Sequence, residues 1–344
     1  MADSVPSTSF TCQRVNKTTF VIIEDDNYGE QPYIYVKVYP AHLIITDTGC
    51  NAPRSKEASL ISLRKYIETF PHPINGGQSL NPNGAKDYVI ICSHCHYDHI
   101  LGISQFVRTQ PAIVASAFDK SFILEDLPKH SLCKYLNVPT PSYKVSHWVR
   151  HLESLNLSDT SFRIQFLHVP GHTPDSLAWY DIDEHHLYVG DTFYEQHRSV
   201  KVPPLPDDAD SIPGLPETQG AVIIPDEGGN WIQYMSSLDV LLSFVRHQNQ
   251  ELRCQHGLSH NPMLRVKVGC GHLTHNADAE QTILEVQGLF ERIIAGEVPV
   301  EASQEKRGVI YDYWIEGKGS KYSVLAPRHL AEEARKHFHP PKSG

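Results

Sequence analysis

Short apolar runs recur along the chain, separated by polar turns marked by glycine and proline. Phe20–Ile23, Tyr33–Val38, Leu43–Ile45, Tyr88–Cys92, Ile164–Val169, Leu187–Val189 and Val266–Val268 have the length and β-branched content of buried strands. Between them the apolar spacing changes to three and four. It does so at Leu60, Leu63, Ile67 and Phe70, then at Trp231, Met235, Leu238, Leu241 and Val245, and finally at Ile283, Val286, Phe290 and Ile293. That period predicts three amphipathic helices, the second capped by Asn230. Strands alternating with helices predict an α/β layered fold, and no short internal repeat interrupts the pattern.

Composition narrows the function classes. Among 344 residues, 30 Lys and Arg face 40 Asp and Glu, a formal net charge of −10. Such a balance offers no basic face for phosphates and argues against a nucleic-acid partner. No apolar run approaches the roughly 18 residues that a bilayer span needs, so no membrane partner is expected. The first residues, MADSVPSTS, lack the basic and apolar regions of a secretory signal, which makes a cytoplasmic location the expectation. Seven scattered cysteines fit reduced thiols rather than a disulfide framework. Residues 201–220, with five prolines and Asp207, Asp208 and Asp210, read as a surface insertion or a lid beside a site.

The 21 histidines are the compositional oddity, and their spacing carries chemistry. Ser93-His94-Cys95-His96-Tyr97-Asp98-His99 follows directly on the apolar run Tyr88–Cys92. Three imidazoles and a carboxylate this close are hard to bury unless a cation organises them, and nitrogen with carboxylate oxygen suits zinc, manganese or iron. Four more apolar runs lead to groups of the same kind: Asp47, His172 in Pro-Gly-His-Thr-Pro, Asp191 after Gly190, and His272 after Gly271. Sites of open α/β folds form where the carboxyl ends of strands converge. Cys92-x-x-Cys95-His96 also fits a haem-attachment pattern, but that leaves Asp98, His99, His172 and His272 without a role. Cys95 is expected as a small packed side chain and Cys270 as a buried strand residue. His168 is expected to be hydrogen-bonded near the site, and His185 and His186 to be solvated.

Taken in order, Asp47, His94-x-His96-x-Asp98-His99, His172, Asp191 and His272 resemble the metallo-β-lactamase-fold superfamily over about residues 15 to 300. The resemblance implies an αββα sandwich: two mixed β-sheets with helices on the outer faces. It implies His94, His96 and His172 as ligands of one metal and Asp98, His99 and His272 as ligands of a second. Asp191 would bridge the two, and Asp47 would brace the histidine loop from behind. Two Zn2+ per chain are expected, with manganese or iron as alternatives. Because the ligand set runs from 94 to 272, residues 1–344 are expected to form one domain, with the insertion near 201–220 and a C-terminal extension after about 300. Where many members have a glycine pair, this chain has Ile100-Leu101-Gly102.

Two metals that share a bound water provide a nucleophile at neutral pH, and no Ser-His-Asp set or G-x-S-x-G elbow competes with them. Tyr194, three residues after Asp191, resembles the Asp-x-x-Tyr of lactonases, in which the hydroxyl meets the developing oxyanion. The expected activity is therefore hydrolysis of a cyclic ester or amide in a small molecule, a lactone or lactam, with Asp98 and Tyr194 assisting. A thioesterase of glyoxalase II or acyl-carrier type, and a mononuclear iron sulfur dioxygenase, are the alternatives that the same ligand set admits.

Overall fold

The computed structural model describes residues 6–157, 160–196, 220–256 and 264–340. They form two compact units, one up to Val149 and one from Arg150 onward. Each is an α/β assembly built on a mixed sheet.

In the first unit seven strands lie side by side in chain order: β1 (Phe10–Arg14), β2 (Thr19–Glu24), β3 (Tyr33–Val38), β4 (His42–Thr46), β5 (Asp87–Ile91), β6 (Ala112–Ser116) and β7 (His147–Val149). The first four pair antiparallel and β4 to β7 pair parallel. Phe20, Ile22, Ile34, Val36, Leu43, Ile45 and Ile90 alternate onto one face and pack against Leu63, Tyr66 and Ile67 of the helix Leu63–Thr69. That helix starts later than its apolar spacing suggests. Ser62 caps it by accepting from the Lys65 N–H, while Thr8 and Leu60 form a β-bridge instead.

The second unit contains β8 (Ser154–Leu157), β9 (Thr160–His168), β10 (Leu177–Asp181), β11 (His186–Tyr188), β12 (Val222–Ile223), β13 (Lys267–Gly269) and β14 (Ala277–Asp278). Its main sheet has the order β14-β13-β11-β10-β9-β8. β8 to β11 form an antiparallel meander, and β11 then pairs parallel with β13. The helices Trp231–His256 and Ala279–Ala295 supply Leu238, Leu241, Val245, Ile283, Val286 and Phe290 to one core with Leu187 and Val268. Asn230 caps the first of these helices, accepting from the Gln233 N–H at 2.9 Å. The residues after 299 form β15 (Val300–Lys306), β16 (Val309–Ile315), β17 (Ser323–Pro327) and the helix Arg328–Phe338. These strands join β12 in a second sheet of this unit, in the order β12-β17-β16-β15. Except for Gly220, the proline-rich segment 201–220 lies outside the described residues. Among the described residues no helix is long and apolar enough to cross a membrane.

Candidate metal centre

Parallel pairing of β4 with β5 in the first unit brings their carboxyl ends together, with Thr46 opposite Ile91. The next residue on each side is then Asp47 and the start of the histidine loop. Asp47 adopts a left-handed φ of +62°, which an aspartate tolerates better than most residues. The residue is 1% exposed, and its side chain turns onto that loop. Oδ1 accepts the Ser93 N–H at 2.8 Å, and Oδ2 accepts the Ser93 hydroxyl at 2.7 Å and contacts His99 Nδ1 at 2.8 Å.

Hydrogen-bond inventory then assigns the imidazole tautomers. A carboxylate only accepts, so His99 carries its proton on Nδ1 and presents a bare Nε2. Ser93 Oγ directs its hydroxyl hydrogen to Asp47 and can only accept from His94 Nδ1, 3.1 Å away, so His94 also carries no proton on Nε2. One buried carboxylate thus fixes two rings, the first directly and the second through a hydroxyl. Thr48 adds two bonds to the His99 carbonyl, from its N–H at 2.7 Å and its hydroxyl at 3.0 Å. Gly102 is required beside it, since a Cβ there would lie 2.0 Å from the Thr48 carbonyl oxygen.

In the second unit β9, β11 and β13 run the same way, so the loops that follow them share one end of the sheet. The loop after β9 carries His172, that after β11 carries Asp191, and that after β13 carries His272. Val189 N–H to Gly269 O at 3.0 Å and Gly271 N–H to Gly190 O at 2.7 Å continue the parallel ladder to the last two candidate donors. His172 Nδ1 donates to the Ile223 carbonyl of β12 at 2.8 Å, which leaves Nε2 bare. Tyr194 is buried and meets the His272 ring edge-on, with centroids 5.5 Å apart.

Three pairs of candidate donors stand close together within the units. His94 Nε2 lies 3.0 Å from His96 Nδ1, Asp98 Oδ2 lies 3.1 Å from His99 Nε2, and Asp191 Oδ2 lies 3.3 Å from His272 Nε2. Contacts this short between buried basic atoms call for a proton or a cation between them. Two nitrogens on a tetrahedral zinc, each at about 2.0–2.1 Å, stand ~3.3 Å apart, so the donors fit a divalent metal in type and in spacing.

Several other expectations meet the structure here. Cys95 is packed among Ala115, Phe122 and Ile123, and Cys270 is fully buried, with its thiol pushed well above the usual range by burial. His168 is half-buried, and its N–H donates to His151 Nδ1 at 3.2 Å. His186 corrects the expectation of solvation. It is 1% exposed and stacked on Tyr188 at 4.6 Å, and burial pushes its ring down to about 3. The acidic residues before it suggested a polar turn, but strand β11 begins at His186 itself. The sequence reading missed Thr48 and the Ile223 carbonyl, and neither carries a residue-type signal for its role. Glu24, which was also missed, accepts the N–H groups of Cys50, Asn51 and Ala52 just beyond Asp47.

Comparison with known proteins bears on this donor set. Residues 28–243, more than half of the chain, match the family model of the metallo-beta-lactamase superfamily. An Aspergillus versicolor protein named "Putative transcription factor avaE" is 29% identical over 345 residues, covering 97% of this chain and 91% of its own. The FEZ-1 metallo-beta-lactamase from Legionella gormanii aligns over 85% of this chain and 98% of its own, with 15% identity and a TM-score of 0.48. An archaeal superfamily protein from Sulfolobus tokodaii covers 85% and 92%, with 13% identity and a TM-score of 0.47. The fold of mixed sheets with helices, the metal-type donors and the family match agree, and the chain belongs to the metallo-beta-lactamase superfamily.

Proposed function

We propose that this protein is a dinuclear zinc hydrolase that opens a cyclic ester or amide, a lactone or lactam, in a small molecule. One metal would be held by His94, His96 and His172, the other by Asp98, His99 and His272, with Asp191 shared. The observation that carries the reading is the close spacing of metal-type donor atoms, 3.0–3.3 Å apart in each pair, with the far nitrogens of His94, His99 and His172 already bonded. A divalent pair bound there polarises a carbonyl and lowers the pKa of bound water to about 7.

The chain's own residues do the rest. Asp47 and the Ile223 carbonyl hold His94, His99 and His172 in the tautomer that leaves Nε2 for a metal, so these three rings need no reorganisation when substrate arrives. The Tyr194 hydroxyl, carried on a ring packed against His272, is suited to donate to the carbonyl oxygen as negative charge grows there. Asp98 is suited to carry a proton to the departing alkoxide or amide nitrogen. The name of the Aspergillus relative belongs to that protein. Here 40 acidic side chains against 30 basic ones leave no excess positive charge to meet a phosphate backbone.

Metal analysis by mass spectrometry, coupled to a panel of lactones, lactams and thioesters, tests the reading. Two zinc equivalents and turnover of the cyclic substrates are expected. Turnover of thioesters alone would replace the substrate class, and a single tightly bound iron would defeat the dinuclear hydrolase.

A further inference from the structure

Tyr97 stands between two of the proposed donors, His96 and Asp98, yet its side chain serves neither. Its hydroxyl donates to Glu30 Oε1 in a short hydrogen bond, and its ring meets Tyr28 edge-on at 5.4 Å in a cluster with Cys50 and Cys133. Tyr97 opens a four-residue helix, Tyr97–Ile100, that carries Asp98 and His99. One helical turn has almost no stability of its own, so its orientation is set by what grips it.

Most of those grips act on the backbone or on His99. Thr48 holds the His99 carbonyl, Asp47 holds the His99 ring, and the Tyr97 N–H donates to the Ser131 carbonyl at 2.9 Å. The Tyr97 side chain is a separate tie, at the end of the turn next to Asp98, and it reaches a different part of the unit. Glu30 sits in the β2–β3 connection, which is itself closed by a buried acid. Asp26 accepts the N–H groups of Tyr28 at 2.7 Å, Gly29 at 2.8 Å and Gln31 at 2.6 Å. The carboxylate that Tyr97 meets is therefore offered from a preformed turn.

We infer that Tyr97 and Glu30 are a positioning pair that aims Asp98 and His99 at their metal. The inference rests on the reading of those two residues as donors. Outer partners of metal ligands typically change affinity by 10- to 100-fold when removed, and the pair acts on the ligating turn as a whole. Its loss should weaken one zinc site and leave the other nearly unchanged.

The test is zinc titration of the full-length, chelator-stripped protein against a chromophoric competitor, with thermal midpoints recorded alongside. The parent should bind two zinc ions. Tyr97→Phe keeps the ring and should weaken one site by ~10-fold or more. Glu30→Ala should match it, and Glu30→Gln, which keeps an acceptor oxygen, should stay close to the parent. The Tyr97→Phe/Glu30→Ala double variant should be no weaker than either single change, because both remove one contact. Two parental zinc sites with unchanged affinities in Tyr97→Phe would overturn the positioning pair alone, even if the midpoint fell. A parent without a second zinc would overturn the dinuclear reading and the pair with it.

Discussion

Replacing Asp47 by Asn probes the tautomer logic of the donor set with the least disturbance to the backbone. Asparagine accepts a left-handed φ as readily as aspartate, so the +62° conformation is not at issue. The side-chain oxygen of Asn can keep the Ser93 N–H bond. Its amide cannot accept from the Ser93 hydroxyl or from His99 Nδ1, which now stand 2.7 and 2.8 Å from Oδ2. An N–H facing an N–H forces His99 to release the Nδ1 proton and carry it on Nε2, the nitrogen that faces Asp98. The bare donor is then lost. A hydrogen bond to a charged group contributes about 1.5–3 kcal/mol, so losing the two should destabilise the protein by about 3–6 kcal/mol. Zinc affinity at the site that uses His99 should fall ~100-fold, the upper end for an outer partner, because the tautomer is inverted and not merely loosened. Competitive zinc titration measures this, and urea unfolding gives the stability. Ser93→Ala is the internal control, since it removes only the relay to His94 and should do less. An Asp47→Asn protein with parental zinc affinity would refute the tautomer assignment.

Two further outcomes follow from the same geometry. Tyr194→Phe should lower turnover ~10- to 100-fold with little change in the Michaelis constant, less than for a lone oxyanion donor, because in the proposed site a metal would share the oxygen. Parental turnover on every substrate that the parent opens would make Tyr194 a packing residue. Burial raises the Glu24 carboxyl from 4.5 to about 7, against the pull of its three N–H donors. A raised folded-state pKa means that Glu24 favours the fold below pH 4.5 and that this contribution is lost as pH climbs to 7. The stability of the parent relative to Glu24→Gln should therefore fall between pH 5 and pH 8, by at most about 3 kcal/mol, and a constant difference in urea unfolding would rule this out.

How much of this was legible in the sequence depends on what kind of atom does the work. The strands that lead to Asp47, the histidine loop, Asp191 and His272 were readable because each is a short apolar run that ends in a typed donor. Their assembly follows from parallel pairing, of β4 with β5 and of β11 with β13, which sets the carboxyl ends side by side. Two things were not readable for physical reasons. The Ile223 carbonyl that fixes His172 is a backbone group, and every residue has one, so no residue type could mark it. β15, with its run Val-Glu-Ala-Ser-Gln-Glu-Lys, is half-exposed on an edge, and its polar alternation lacks the apolar density by which buried strands announce themselves. His186 was misjudged because charged neighbours in sequence are no guide to burial once a strand starts between them.

The imidazole protons of the candidate donors His94, His99 and His172 are held by chemically different acceptors, and the difference has consequences. His99 donates its Nδ1 N–H to a carboxylate, a charge-assisted bond that resists loss of the tautomer. His94 reaches the same carboxylate only through the Ser93 hydroxyl, so its ring senses the charge at one remove. His172 donates its Nδ1 N–H to a neutral carbonyl, which orients the ring. The donors that share Asp47 all belong to one loop, next to one strand end, so a single buried acid secures them together. His172 depends on a two-residue strand held by the sheet of the C-terminal strands. The strands after residue 299 therefore bear on this candidate donor through β12: β17 is the neighbour that holds the strand whose Ile223 carbonyl accepts from His172 Nδ1.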